Sequence, residues 1–135
     1  MKLVLDSSVA LKCVLPEEDS DKAVAIRDGG HLLLAPDIFP LELTHVLSKL
    51  VRQHKITEDD ANSLFVDVLD TRPALKNSMR RLRRAFEISL ETRCALWDAL
   101  YVALSEEENC PFLTADEKLV NNLRGKFNVI ALSSM

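Results

Sequence analysis

The chain has 135 residues, which is enough for one hydrophobic core but too few for two independent ones. Hydrophobic residues make up 47% and charged residues 28%, proportions that are ordinary for a folded protein and exclude an intrinsically disordered one. The net charge of -4 argues against a protein that coats nucleic acid through bulk electrostatics. We therefore predict a single domain that spans residues 1–135.

The cysteines and the amino terminus bear on the cellular compartment. Three cysteines are present, an odd number without a Cys-x-x-Cys pair, so neither a disulfide framework nor a zinc motif is indicated. Asp6 interrupts the apolar run that a signal peptide would need, and no stretch approaches the roughly 20 apolar residues of a membrane span. We predict a cytoplasmic protein without a membrane segment.

The first elements in the chain are a strand and two helices. The run KLVLD, residues 2–6, predicts a short buried strand, and Ser7 or Ser8 is placed to cap the helix that follows. Pro16 ends that helix. A second helix is predicted from about residue 19 to residue 27, because two glycines follow it.

A strand and two more helices come next. HLLLA, residues 31–35, predicts a second strand, and Asp37 is predicted to cap a helix from about residue 38 to residue 54. Thr57 opens another helix whose first turn is acidic, as suits the positive end of a helix. Pro73 breaks this helix.

The rest of the chain continues the alternation. The predicted elements are a very short strand at 73–75, a basic amphipathic helix at 78–91, an apolar helix at 95–104, a strand at 110–114, a short helix at 116–123 and a strand at 127–132. Strands separated by helices predict a mostly parallel sheet that is covered on both faces, which is an α/β fold. Right-handed crossovers place the carboxyl ends of such strands along one edge.

Four acidic residues occupy positions that a folded chain would otherwise bury. Asp6 ends the first strand, Asp116 follows the strand at 110–114, and Glu42 and Asp98 interrupt apolar helical stretches. Burial of an ionised carboxylate without a partner costs several kcal/mol, and four in one cleft would repel one another. Together they predict a hard divalent cation, Mg²⁺ or Mn²⁺. Each acid taken alone is equally compatible with a helix cap or a solvated position.

The predicted topology brings these acids towards one place. If their strands are neighbours, Asp6 and Asp116 meet at the sheet edge where α/β proteins bind ligands. Glu42 falls about 80° from the centre of the apolar face of its helix, at the rim of that face. Asp98 is the one charged residue in the stretch 95–104. Because a helix that is apolar all round is a buried helix, Asp98 is the acid most strongly indicated to be functional.

Four sequence segments resemble the motifs of a known family. VLDSSVAL, PLELTHVL, WDALYVAL and FLTADEKL, in this order and at these separations, are similar to the motifs of PIN-domain ribonucleases. Within that group, the length and the absence of extra domains resemble the VapC-type toxins of bacterial and archaeal toxin–antitoxin pairs. The resemblance covers essentially the whole chain.

The resemblance implies a three-layer α/β/α sandwich with a mostly parallel central sheet, and Mg²⁺- or Mn²⁺-dependent hydrolysis of RNA phosphodiester bonds. It implies that Thr114, together with Ser7 or Ser8, supports the site by hydrogen bonding. The acidic site that it implies consists of Asp6, Glu42, Asp98 and Asp116.

The resemblance also implies partners, which are an RNA substrate, a cognate antitoxin that occupies the acidic groove, and a second copy of the chain in a homodimer. The basic side chains placed to contact RNA are Lys12, Arg80, Arg81, Arg83 and Arg84. A solvated face paired with the acids of the chain explains the arginines equally well. A domain of the same fold that binds RNA or protein without cutting remains the alternative to the enzyme.

Overall fold

The computed structural model describes residues 1–70 and 73–135. The strands of this part of the chain are β1 (Lys2–Leu5), β2 (Leu32–Pro36), β3 (Ala74–Lys76), β4 (Phe112–Thr114) and β5 (Val129–Ala131). They form one sheet in the order β3-β2-β1-β4-β5, and every pairing in it is parallel. The predicted three-layer α/β/α fold with a mostly parallel sheet is confirmed.

The helices of the described residues cover the sheet. They are α1 (Ser7–Val14), α2 (Ser20–Asp28), α3 (Phe39–Arg52), α4 (Glu58–Leu69), α5 (Leu82–Thr92), α6 (Leu96–Glu107) and α7 (Glu117–Leu123). Short 3-10 turns occupy Met79–Arg81 and Leu132–Ser134. None of the helices in the described ranges is both long enough and apolar enough to cross a membrane.

The core lies between the central strands and α6. Leu3, Val4 and Leu5 of β1 are all buried, as expected for a strand that is covered on both faces. Every residue of α6 from 99 to 105 is buried, so α6 is the most enclosed helix of those described. Tyr101 of α6 stacks on Phe112 of β4 with ring centroids 5.5 Å apart.

Two helix starts differ from the sequence prediction. Asp37 was predicted to cap α3, but Ile38 occupies the N-cap position and makes no side-chain capping bond. Asp37 Oδ1 instead accepts hydrogen bonds from the backbone N and the Oγ of Ser78, at 3.2 and 2.5 Å. The prediction was wrong because Ser78, which follows β3, offers two donors to this carboxylate in place of the backbone amides of the first turn of α3.

The start of α1 also differs. Ser7 and Ser8 lie inside α1, and Asp6 occupies the N-cap position without a side-chain capping bond. By contrast, the predicted start of α4 at Thr57 is confirmed, since Thr57 and Asp60 form a reciprocal capping box. Hydrogen bonds from the backbone of Ser7 and Ser8 nevertheless act on the Asp6 carboxyl and lower its pKa against the effect of burial.

The sheet topology creates a switch point beside β1. The chain leaves β1 towards β2 and β3 on one side, and β4 and β5 lie on the other side. The backbone N of Asp6 donates to the carbonyl of Leu113 at 3.0 Å, which extends the pairing of β1 and β4 to their carboxyl ends. Open α/β sheets bind ligands in the crevice at such a point.

Candidate active site

Asp6 lies at the floor of the crevice between β1 and β4. Only 6% of its surface is exposed. Burial raises the pKa of this carboxyl, because the charged form loses its hydration, and hydrogen bonds from neighbouring hydroxyls act in the opposite direction. No basic side chain pairs with Asp6 among the residues that the structure describes.

Two hydroxyl groups fix the Asp6 carboxylate. Thr114 Oγ1 and Ser8 Oγ donate to Asp6 Oδ2 at 2.6 and 2.8 Å. Ser8 Oγ also accepts from the backbone N of Ala115, and Thr114 Oγ1 accepts from the backbone N of Asp116, both at 3.1 Å. Thr114 is fully buried, so this network is rigid and connects the end of β4 to the start of α1.

Ser7 lies on the other side of the same carboxylate. Its Oγ is 3.5 Å from Asp6 Oδ1, at the limit of a hydrogen bond. It also hydrogen-bonds to Glu42, which lowers the pKa of that carboxyl slightly against the larger effects that raise it. Ser7 therefore lies between the two acids that the crevice brings together.

Glu42 projects from the first turn of α3 and is half-buried. Its Oε1 accepts a hydrogen bond of 2.5 Å from the hydroxyl of Tyr101. The pKa of Glu42 is raised to about 7, mainly by burial and further by the nearby charges of Asp6 and Asp98. Near neutral pH this carboxyl is therefore divided between its protonated and ionised forms.

Asp98 lies in the first turn of α6 and is half-buried. Its pKa is raised to about 6, mainly by burial and further by the charges of Asp6 and Asp116. Asp98 was predicted to lie within a fully buried helix, but the first turn of α6 reaches the surface, since the adjacent Trp97 is 57% exposed. The carboxylate is thus open to the crevice.

Asp116 is the exposed member of the four acids. It occupies the N-cap of α7, where its Oδ1 accepts from the backbone N of Leu119 at 3.1 Å. Its charge still acts on Asp98. Asp116 therefore combines a capping bond with a place at the rim of the acidic crevice.

The charges of the four acids act on one another, which indicates that they lie near one another. Glu42 responds to Asp6 and Asp98, and Asp98 responds to Asp6 and Asp116. They do not close around a common point, however, because no three His, Cys, Asp or Glu side chains in the described ranges converge enough to hold a metal ion.

Tyr101 is the residue of this site that sequence reasoning did not assign. In the sequence it is an aromatic residue at helical spacing, which is typical of a core position. A buried tyrosine requires a partner for its hydroxyl, and Tyr101 lies one helical turn after Asp98, on the same side of α6. From these two facts the sequence could have predicted a hydrogen bond between Tyr101 and an acid of the site.

Three of the five basic residues proposed for RNA contact are engaged elsewhere. Lys12 Nζ donates to the carbonyl of Glu18 at 2.9 Å, and Arg84 pairs with both carboxylate oxygens of Glu106 at 2.6 and 2.9 Å. Arg81 is buried, and its Nε lies 2.7 Å from Glu107 Oε2, although the two are not aligned as a hydrogen bond.

Arg80 and Arg83 are different, because both are exposed. Neither guanidinium makes a hydrogen bond or ion pair with any residue that the structure describes. Of the basic cluster, these two side chains are the ones available to another molecule.

Comparison with known proteins agrees with the geometry of the crevice. The model of the PIN domain family matches residues 3–123, a range that contains all four acids and the hydroxyls around Asp6. This chain belongs to the PIN domain family. The predicted resemblance is thereby confirmed.

A curated relative of this PIN domain is Ribonuclease VapC3 of Pyrobaculum aerophilum. The two chains are 31% identical over 121 residues, which cover 88% of this chain and 92% of the relative. The similarity to VapC proteins predicted from the four motifs is confirmed by this match.

Solved structures share the fold of this PIN domain. A crystal structure of a Pyrobaculum aerophilum protein has a TM-score of 0.74 at 19% identity and covers 99% of this chain and 94% of its own. The structure of VapBC2 from Rickettsia felis, bound to a DNA fragment from its promoter, has a TM-score of 0.68 at 13% identity, with 97% and 98% covered. These likenesses extend over the whole sheet and its helices.

Proposed function

We propose that this PIN domain is a Mg²⁺- or Mn²⁺-dependent endoribonuclease of the VapC toxin type, in which Asp6, Glu42, Asp98 and Asp116 hold the metal ion and catalyse RNA hydrolysis. The observation that carries the proposal is the Asp6 carboxylate. It is buried at the switch point of the sheet, fixed by two hydroxyls and surrounded by further acids, and no basic side chain of the described residues neutralises it.

The residues present fit a hard divalent cation. All donors at the crevice are carboxylate or hydroxyl oxygens, the ligands that Mg²⁺ and Mn²⁺ prefer, and no imidazole or thiol joins them. Burial and the charges of neighbouring acids raise the pKa values of Glu42 and Asp98, and no basic group of the described residues is among the causes that lower them. A bound cation would relieve the repulsion among the carboxylates. It would thereby offset the free energy that burial of several acids costs the folded protein.

The side chains of the crevice have separate tasks in this proposal. Thr114 and Ser8 orient the Asp6 carboxylate, and Tyr101 orients Glu42. When bound, a divalent cation would polarise the scissile phosphate and lower the pKa of the attacking water. The pKa of about 7 belongs to Glu42 in the metal-free protein, and a bound cation would lower it and keep the carboxylate ionised as a ligand.

The proposal includes partners and a compartment. The relative is named as a ribonuclease and one structural neighbour as VapBC2, which supports RNA as the substrate and an antitoxin as the inhibitor. An acidic crevice is complementary to a basic side chain, so we propose that the antitoxin neutralises it with an arginine. A homodimer is proposed as the assembly unit. All three cysteines are free, in keeping with the cytoplasm.

Cleavage of end-labelled structured RNA by purified protein tests the function. We expect cuts in Mg²⁺ or Mn²⁺ and none in EDTA, because the carboxylates alone cannot neutralise the phosphate. Asp98→Asn should reduce the cutting to background while it keeps the fold, since it removes one charge from a repulsive cluster. The control is Asp59→Asn, which removes an exposed carboxylate of α4 and should cut as well as the parent.

The outcome separates the enzyme from the non-catalytic alternative. Equal cutting by Asp98→Asn and the parent would contradict the assignment of the site. The alternative predicts that the folded parent binds RNA but neither cuts it nor binds Mn²⁺, and that both variants behave like the parent. This result would identify a non-catalytic binding module of the PIN fold.

A further inference from the structure

Trp97 is an exposed aromatic side chain beside the acidic crevice. It lies in the first turn of α6, directly before Asp98, and most of its surface is open to solvent. Among the described residues, its ring stacks on no other aromatic side chain. The indole therefore presents a flat apolar face to the solvent next to an acid of the proposed site, and this face is available to a ligand.

Helical geometry places Trp97 on the side of α6 that faces the acids. Successive residues turn by about 100°, so Trp97 and Asp98 lie about 40° and 60° from Tyr101, on either side of it. The hydroxyl of Tyr101 contacts Glu42, and the charge of Asp6 acts on Asp98. The three side chains of α6 therefore share the sector of the helix that is directed at the crevice.

Trp97 lies nearer to the mouth of the crevice than Tyr101 does. It precedes Tyr101 by four residues, which is about 6 Å along the helix axis. Helical side chains lean towards the amino end, and α6 begins at Leu96, so the indole extends past the first turn of the helix. The burial agrees, since Tyr101 is fully buried and Trp97 is exposed. An RNA strand whose phosphate enters the crevice would pass this indole.

The turn that precedes α6 is held in place by side-chain hydrogen bonds. Ser89 Oγ donates to the carbonyl of Cys94 at 2.7 Å, and Thr92 Oγ1 accepts from the backbone N of Cys94 at 3.3 Å. Asn122 Nδ2 donates to the carbonyl of Thr92 at 2.9 Å, which ties the turn to α7. Asp116 caps the same α7. The start of α6 is therefore fixed before any ligand arrives, which lowers the entropy lost on binding.

The surroundings of Trp97 match a nucleotide better than the centre of a protein interface. The half-buried Asp98 follows it, and the exposed Arg93 lies four residues before it. The centres of protein interfaces are depleted in such charged residues. A nucleotide combines a flat base, which can stack on an aromatic face, with an anionic phosphate, which a cation in the crevice would attract.

We infer that Trp97 is a specificity-determining residue that stacks on the base of an unpaired nucleotide next to the phosphate held at the crevice. The inference rests on the proposed ribonuclease function and names the form of its substrate. A base within a duplex already stacks on both faces, so an unpaired nucleotide is needed to offer a free one. Because every base has a π face, Trp97 selects unpaired over paired RNA rather than one base over another.

The fluorescence of Trp97 reports stacking directly, because a base that stacks on an indole quenches its emission. The probes are a single-stranded oligoadenylate, its duplex with oligouridylate, and an abasic ribose-phosphate oligomer of the same length. All are measured in Ca²⁺, a hard cation that takes carboxylate ligands. We expect saturable quenching by the single-stranded oligoadenylate and none by the other two. Equal quenching by the abasic oligomer or by the duplex would overturn the inference.

Two substitutions separate stacking from general apolar contact. Trp97→Phe keeps an aromatic face, whereas Trp97→Leu keeps an apolar side chain without one. Anisotropy of dye-labelled oligoadenylate should show about 10- to 100-fold weaker binding in Trp97→Leu and near-parental binding in Trp97→Phe. The control is Phe65→Leu, which makes a similar change at an exposed aromatic residue of α4 and should bind like the parent. Circular dichroism checks the fold of each variant.

The possible outcomes distinguish this inference from the proposed function. Equal binding by Trp97→Leu and Trp97→Phe, or binding of RNA to the parent without quenching, would overturn the stacking contact even if the parent cuts RNA in Mn²⁺. Quenching by a parent that cuts no RNA in Mn²⁺ would overturn the ribonuclease and leave the contact in place. Loss of a dimer in Trp97→Leu with unchanged RNA binding, measured by sedimentation, would assign Trp97 to a contact between copies instead.

Discussion

The raised pKa of Glu42 makes the stability of the metal-free protein depend on pH. The pKa is about 7 in the folded protein against an ordinary 4.5, so between these values the folded state binds more protons than the unfolded state. Stability must therefore fall as pH rises through this window. Asp98, with a pKa of about 6 against 3.8, acts in the same direction.

We predict a higher midpoint of thermal unfolding at pH 5 than at pH 8 in EDTA. The difference should shrink in Glu42→Gln, because the amide has no proton to lose in this range. Scanning calorimetry of both proteins at the two pH values measures it. A midpoint that is higher at pH 8, or a difference that Glu42→Gln leaves unchanged, would refute the account of these two carboxyls.

Tyr101 gives a second prediction for a single residue. Tyr101→Phe removes the hydroxyl that orients Glu42, and loss of such an orienting contact typically weakens metal binding by about 10- to 100-fold. Titration calorimetry with Mn²⁺ measures the change. The control is Ser105→Ala, which also removes a buried hydroxyl from α6, but one that is bonded to the carbonyl of Val102. If both variants bind Mn²⁺ like the parent, Tyr101 has no positioning role.

At the scale of elements, α4 depends on its capping box. Thr57 Oγ1 accepts from the backbone N of Asp60 at 3.0 Å, and the Asp60 carboxylate reaches back to the backbone N of Thr57. We predict that Thr57→Ala lowers the free energy of unfolding by about 1 kcal/mol. Urea denaturation measures this, with Ser63→Ala in the exposed middle of α4 as the control. An equal effect of both substitutions would show that the cap contributes nothing specific.

Most of these elements could be predicted because their signals are local. The run of buried apolar residues in β1, the capping pair at Thr57 and the glycines after α2 each act within a few residues of the chain. Asp37 could not be assigned in this way, since its partner Ser78 is 41 residues away. A carboxylate at a helix start can bond either to the backbone of that helix or to a donor that is distant in the sequence, and only the first choice can be recognised from local sequence.

At the scale of the whole molecule, the order of the strands decides the candidate site. The sequence placed Asp6 and Asp116 at the ends of strands, but only the pairing of β1 with β4 makes those ends adjacent. The contact between Glu42 and Tyr101 joins residues 59 apart and likewise requires the fold. The burial of Arg81 against α6 is a third example, because four arginines within five residues give no signal of which one turns inwards.

Trp97 provides the most direct test that the four carboxylates form one divalent-metal site. It is the one tryptophan of the chain, it is exposed, and it adjoins Asp98. Mn²⁺ is paramagnetic and quenches indole fluorescence at short range, so binding at the crevice should give a saturable loss of emission. A linear loss, by contrast, reports collisions in solution alone.

The measurement is a Mn²⁺ titration of the parent, of Asp6→Asn and of the control Asp59→Asn, followed through the fluorescence of Trp97. We predict saturable quenching in the parent and the control, competition by Mg²⁺, and a linear response in Asp6→Asn. Quenching that is linear in the parent, or that saturates equally in Asp6→Asn, would contradict a metal site built on the buried carboxylate of Asp6.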